Sequence, residues 1–256
     1  MEMTNMHDLT TGSLAGHFRR LAVPAAIGMV FSTLYNVVDV FFAGLISTDA
    51  QAGLAISFQA FFIFVTIGFG LGSAMTALVG NAIGAKDTAE ASKIAMQGIG
   101  FAIVASALLI MIALFLGPHL LAFISTEGAY RDAGTAYFTI LLFSLPSFII
   151  GYGLNGLLQA RGDTVSMQYA LIGAFFANIG LNPLMMFGIP GIWNGMGFDG
   201  IAAATVISQT GVMIFIGFRL AGSSLIIRKI LLIFSPIWGF TGKFWHSFYQ
   251  QHLPCL

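Results

Sequence analysis

Charge is scarce in this sequence: 8% of its 256 residues are Asp, Glu, Lys or Arg, whereas 57% are hydrophobic. A soluble domain carries about 25% charged residues, so a chain this poor in charge cannot cover a water-facing surface and reads as an integral membrane protein. Net charge is zero, no dense basic stretch is present, and the aromatics fall inside apolar runs, which excludes a nucleic-acid partner. Cysteine occurs once, as Cys255, so neither an intramolecular disulfide framework nor a CxxC metal or redox motif is expected. The histidines, His7, His17, His119, His246 and His252, all fall outside the apolar cores without a ligand-spaced partner, so no structural or catalytic metal and no cofactor is expected. No nucleophile has a base beside it within an apolar run, which argues against enzyme chemistry. The first 20 residues lack an apolar h-region, so the chain is expected to keep its N-terminus and to insert through its own helices.

Long apolar runs are what the sequence does have. Six are long enough to span a bilayer, since about 20 residues at about 1.5 Å each cross the hydrocarbon core. They run over 21–46, 53–79, 94–116, 134–158, 166–188 and 201–220. Residues 1–20 form a polar N-terminal segment, and 221–256 a tail of different character, in which "ILLIFSPIWGF" from Ile230 suits an interfacial segment. Of the ten Lys and Arg residues, all but Arg131 fall on one side of this arrangement. Basic residues accumulate in cytoplasmic loops, so both termini are expected in the cytoplasm. The connections read as short turns ("GAKDTAEA", "ARGDTVS", "STDA") and two longer outer loops ("GPHLLAFISTEGAYRDAG", "GIPGIWNGMGFDG").

Two motifs have plain explanations. "GMGFDG" matches GxGxxG, but a dinucleotide site needs that motif between a strand and a helix, and here it follows an apolar span; a flexible outer loop is the better reading. Gly68, Gly72, Thr76, Gly80 and Gly84 recur every fourth residue of the second span. Small residues at helical spacing let membrane helices approach closely, which favours packing over a sliding surface.

Asp39 stands apart as the acid inside a predicted span. An Asp at mid-helix costs roughly 2.5 to 3.5 kcal/mol on insertion, while each Leu, Ile, Phe or Val returns about 0.3 to 0.6. Thirteen such residues between Leu21 and Ile46 make the helix insertable regardless. Asp39 either bonds a neighbouring helix or marks an ion pathway, proton relay or substrate site. Gly28, Ser32, Tyr35 and Asp39 form one stripe of that helix, with Asn36 beside it, and this stripe must face protein or water. Depth supplies a second criterion. At about 1.5 Å per residue, Asp39, Asn182 and Thr205 each lie about 8 Å outward of their span midpoints, Gln59 lies about 10 Å outward, and Asn178 sits one turn inward of Asn182. An oxygen-lined layer of this kind suits a hard cation or a proton.

"LYNVVDVFFAGLISTDAQAGLAIS", "GNAIGAKDTAEA", "NGLLQARGDT", "NIGLNPLMMFG" and "GIAAATVIS", in this order and spacing from about residue 15 to 220, resemble the multidrug and toxic compound extrusion (MATE) family. The resemblance implies an all-α integral membrane fold in which these six helices form one lobe of a twelve-helix, two-lobe transporter. It implies export of small amphipathic or cationic organic compounds across the plasma (cell inner) membrane, in exchange for H⁺ or Na⁺. It maps Asp39, Asn178, Asn182 and Thr205 onto the family's cation site. Asn182 stands where many members carry a second carboxylate, which shifts the expectation toward a proton. The partners expected are membrane lipid and either a second lobe or a second copy of the chain. The alternative is a truncated, inactive lobe or a non-transporting membrane interaction protein.

Overall fold

The computed structural model describes residues 14–221. Cys255, the segment from Ile230, the tail beyond Ala221 and most of the N-terminal segment lie outside the described residues. Seven α-helices follow one another: α1 (Leu14–Gly44), α2 (Thr48–Gly84), α3 (Thr88–Ile124), α4 (Ala129–Leu141), α5 (Leu145–Ala160), α6 (Ser166–Phe187) and α7 (Asp199–Ala221). Among the described residues, six helical stretches are long and apolar enough to cross a membrane, the fourth being Ala129–Ala160, which joins α4 to α5. Among the described residues there is no sheet, and one isolated bridge pairs Ile189 with Trp193. The all-α six-span architecture is therefore the one expected.

The fourth span was expected as one helix over 134–158, but a 3-10 turn at Leu142–Ser144 divides it. Pro146 has no N–H to offer the Leu142 carbonyl four residues back. That carbonyl instead accepts from the Leu145 N–H, and the Ser144 hydroxyl donates to the Leu141 carbonyl at 2.6 Å. The outer loop expected over 117–134 is also mostly helical, since α3 runs on to Ile124 and α4 begins at Ala129. Pro118 sits within α3, and the turn beyond it is held by Leu121, which is fully buried.

Tight caps explain the short connections. Ser47 accepts the Ala50 N–H ahead of α2, and Asp87 accepts the Glu90 N–H ahead of α3. Between α2 and α3, Lys86 takes a left-handed conformation at φ 59°, while Asp87 and Lys86 return their N–H groups to the Ala82 and Ile83 carbonyls. This is the double bond pattern that closes helices ending in a left-handed residue. The 188–200 connection folds back so that the Met196 and Gly197 N–H groups cap the Met185 and Met186 carbonyls of α6. It is a pinned loop rather than the flexible one expected.

The second and fourth spans form the centre, α2 packing against α3, α4 and α5, while α6 packs on α1 and α7. Half of the fourth span's most apolar window is buried, against 18% for the first. Small residues set the closest approach: a Cβ at Gly72 or Gly156 would strike the other helix's backbone, and the Thr76 hydroxyl donates to the Gly72 carbonyl and reaches the Gly156 carbonyl at 3.1 Å. Gly68 meets Ile149 and Tyr152 in the same seam, whereas Gly80 and Gly84 face open space. Packing thus accounts for Gly68, Gly72 and Thr76 of the predicted stripe.

Candidate functional site

α1 is peripheral, but one narrow face of it is not. Tyr35, Asp39 and Ala43, four residues apart, are buried, as is Gly28 two turns earlier. Gly28 makes room for Gln168 of α6, and Phe31 meets Phe175 edge-on at 5.4 Å, so α1 is seated on α6 along this face. Met29, Val37 and Phe41 point the other way and are exposed.

Asp39 is fully buried. Asn182 of α6 donates to its Oδ1 at 2.9 Å and Thr205 of α7 donates to its Oδ2 at 3.2 Å. The second amide hydrogen of Asn182 goes to Asn178 Oδ1, also at 2.9 Å. The i, i+4 spacing of Asn178 and Asn182 makes this chain of bonds possible on one helix. One turn inward, the Tyr35 hydroxyl lies 2.6 Å from Ser208 Oγ, which in turn donates to the Thr205 carbonyl at 3.2 Å. Three helices thus converge on one carboxylate, and its hydrogen-bond partners are all neutral.

The polar balance is incomplete. Asn182 Oδ1 and Asn178 Nδ2 are buried and have no hydrogen-bond partner. A carboxylate offers about four acceptor sites, of which Asn182 and Thr205 fill two. Room therefore remains for a proton, or for a cation if Asn182 turned its oxygen inward.

Four of the residues singled out in the sequence, Asp39, Asn178, Asn182 and Thr205, are brought into one cluster. Ser32 and Asn36 are exposed on α1, where the Asn36 amide bonds the Ser32 carbonyl at 3.0 Å. Gln59 is exposed on α2 and shares an open groove with Asn36, away from the carboxylate. Three residues of the site's surroundings were not singled out. Tyr137 of α4 is fully buried, lies within electrostatic reach of Asp39 and Tyr35, and has a hydroxyl without a partner. Ser208 and Gln209 lie three and four residues beyond Thr205; extending the i, i+3, i+4 reading to α7 would have found them.

Beside this cluster lies a cavity of about 180 Å³, with Tyr35 and Thr205 in its wall. The polar cluster and the cavity therefore share two side chains. At the basic end of the molecule, Arg219 of α7 donates to Ser166 Oγ at 2.9 Å and meets Asp163 at 3.4 Å. Partial burial pulls the Asp163 carboxyl upward, but hydrogen bonds from Ser166 and Val165 and the Arg219 charge outweigh it and hold the group below its ordinary value near 3.8. This link ties α6 and α7, the two helices that grip Asp39. Among the described residues no group of His, Cys, Asp and Glu could hold a metal ion.

The chain is 26% identical over 187 residues to the probable multidrug resistance protein YoeA of Bacillus subtilis, covering 73% of this chain and 40% of that one. It is 26% identical over 203 residues to the probable multidrug resistance protein NorM of Thermotoga maritima, covering 78% and 44%. Its fold is similar to that of a MOP superfamily transporter from Pyrococcus furiosus, with a TM-score of 0.78 at 22% identity over 91% of this chain and 51% of that one. The chain thus spans about half the length of the curated relatives it matches. The MatE family model matches residues 24–184, well over half of the 256 residues, and the chain belongs to that family, the multidrug and toxic compound extrusion transporters.

Proposed function

We propose that this chain forms the N-terminal six-helix part of a cation-coupled exporter of small organic compounds, with Asp39 as the group that carries the coupling ion. The observation that bears the reading is a fully buried carboxylate on a peripheral helix, held by neutral donors from α6 and α7. A buried charge without a cationic partner is costly, and a protein retains one where its neutralisation does something. Its family membership and the multidrug resistance names of its relatives support export as the task.

The coupling ion is H⁺. The Asn182 amide points its nitrogen, not its oxygen, at Asp39 and Asn178, and a nitrogen bearing two hydrogens repels Na⁺. A proton needs only a free lone pair on the carboxylate. Protonation removes the charge that Asn182 and Thr205 hold, loosening α1 from α6 and α7, and α1 repacks over the neighbouring cavity. Deprotonation restores the bonds and reseats it. The basic ends of α2, α5 and α7 face the cytoplasm of the cell inner membrane, and transport requires a second lobe opposite this one.

The test is efflux of an organic cation such as ethidium, under an imposed pH gradient, from proteoliposomes that hold this chain together with its second lobe. Asp39→Asn keeps the size of the side chain and one acceptor oxygen but cannot exchange a proton, and is expected to abolish gradient-driven efflux while leaving the protein folded. Undiminished efflux in that variant would overturn the assignment.

A further inference from the structure

α6 and α7 hold Asp39 on one side of their seam, and on the other side the seam opens into a groove of about 450 Å³. Tyr169, Gly173 and Leu181 of α6 and Ile207, Gly211 and Phe215 of α7 lie along it. Gln168 and Phe175 turn toward α1, and Met213 and Gly217 toward α5, so neither neighbour covers the groove. Tyr169, Ile207 and Phe215 are accordingly exposed. A Cβ at Gly173 or Gly211 would meet nothing within 4 Å, so these glycines do not serve the approach of the two helices; they deepen the groove. One helical turn beyond Phe215, on the same stripe of α7, stands Arg219. Its Nε and Nη2 donate to Ser166 and Asp163, which leaves Nη1 without a partner among the described residues, and its side chain is 56% exposed. Arg161, two residues before Asp163, makes no ion pair among the described residues. Arg161, Asp163 and Arg219 together leave one positive charge at this end of the seam.

The geometry points to a binding site for one anionic phospholipid, an acyl chain lying in the groove and the phosphate on Arg219 and Arg161. Length is the first argument. From Tyr169 to Leu181 the axis of α6 rises about 18 Å at about 1.5 Å per residue, close to the depth of one leaflet, about 15 Å or half of the hydrocarbon core. Charge is the second. Basic pockets between membrane helices recognise anionic headgroups, and a guanidinium matches the oxygens of a phosphate in geometry as well as in sign. The wall supplies the third. Its polar side chains are Tyr169 at the rim, whose amphipathic ring suits the headgroup level, and Ser208, whose hydroxyl is engaged with Tyr35 at 2.6 Å. A groove with so little to offer the backbone of a peptide suits a hydrocarbon chain. A seated chain lies against Ser208, and so against the bond that fixes Tyr35 of α1 one turn from Asp39.

The purified chain in a mild non-ionic detergent is titrated with phosphatidylglycerol and, separately, with phosphatidylcholine carrying the same oleoyl chains, and bound lipid is counted by native mass spectrometry. The first phosphatidylglycerol is expected to bind about tenfold more tightly than the first phosphatidylcholine, the effect of one hydrogen bond to a charged group. Arg219→Gln is expected to bring the two affinities to within about twofold, because the charges of Arg161 and Asp163 then cancel. Arg161→Gln, which keeps the link between Arg219 and Asp163, carries the same test should that variant not fold. Gly173→Leu combined with Gly211→Leu fills the groove without touching the arginines and is expected to weaken both lipids by about tenfold; Gly211→Leu alone carries this arm should the pair not fold. Equal affinities in the wild type, a preference that survives the arginine variant, or tight binding that survives filling of the groove would overturn the assignment. So would displacement of bound phosphatidylglycerol by free glycerol phosphate, which has the headgroup chemistry and no chain. The measurement uses neither a gradient nor an exported compound, so its failure leaves the exporter reading in place.

Discussion

At the scale of single residues, the proposed choice of a proton at Asp39 turns on the amide of Asn182. Its NH₂ group is shared between Asp39 and Asn178 at 2.9 Å to each, which places hydrogen atoms where a hard cation would need oxygen. Asn182→Asp replaces those hydrogens with a second carboxylate beside the first. Two carboxylates this close share a proton or a cation between them. The variant is therefore expected to gain a thermal stabilisation by Na⁺ over K⁺ in detergent, absent from the wild type; equal melting in both salts would count against this reading of the amide. Asp39, Asn178, Asn182 and Thr205 were legible in the sequence because a polar residue in a long apolar run is conspicuous and helix rise converts position into depth. Tyr137 was not, because a tyrosine in an apolar run looks like core until its unpartnered hydroxyl is seen. Gln59 misled the depth argument, which fixes height in the membrane but not the direction around the helix axis.

At the scale of helices, α6 and α7 form a pair clamped at both ends. The Asp39 cluster joins them toward one end, and Asp163, Ser166 and Arg219 join them at the other. The Asp163 carboxyl is held below its ordinary value, so its contribution is present above the unfolded value, near pH 4, and is lost as pH falls through the lower folded value. Arg219→Gln is accordingly expected to lower the melting temperature at pH 7 and to converge on the wild type as the pH falls from about 4 through that lower folded value. A difference that is unchanged at acid pH would show that Arg219 acts through packing alone. Helix existence was readable from apolar length throughout. The break at Leu142–Ser144 was not, because the apolar pattern runs through it unchanged and Pro146 marks it only through a missing N–H. The helical continuation past Pro118 was missed for the opposite reason: a Gly-Pro pair reads as a loop, whereas here Gly117 makes room for the Phe138 ring against α3.

At the scale of the whole molecule, a buried centre of α2, α4 and α5 supports a thinly attached α1, and Asp39, the proposed coupling group, sits on that attachment. Alternating access in such transporters comes from two parallel halves rocking about a site at mid-depth, and this chain corresponds to about half of its relatives' length. Orientation can be tested directly. In a Cys255→Ser background, Glu127→Cys at the outer end is expected to react with an impermeant maleimide in intact cells. Ala85→Cys, at the basic end, is expected to react only after permeabilisation. The reverse pattern would invert the topology.

The assignment of Asp39 as the carrier of the coupling proton is tested most directly by infrared difference spectroscopy of the purified chain during a pH step. A protonated-carboxyl band in a dry, hydrogen-bonded environment is expected to appear as the pH is lowered, to shift in Asn182→Leu, and to vanish in Asp39→Asn. A band that persists in Asp39→Asn, or none in the wild type, would contradict it.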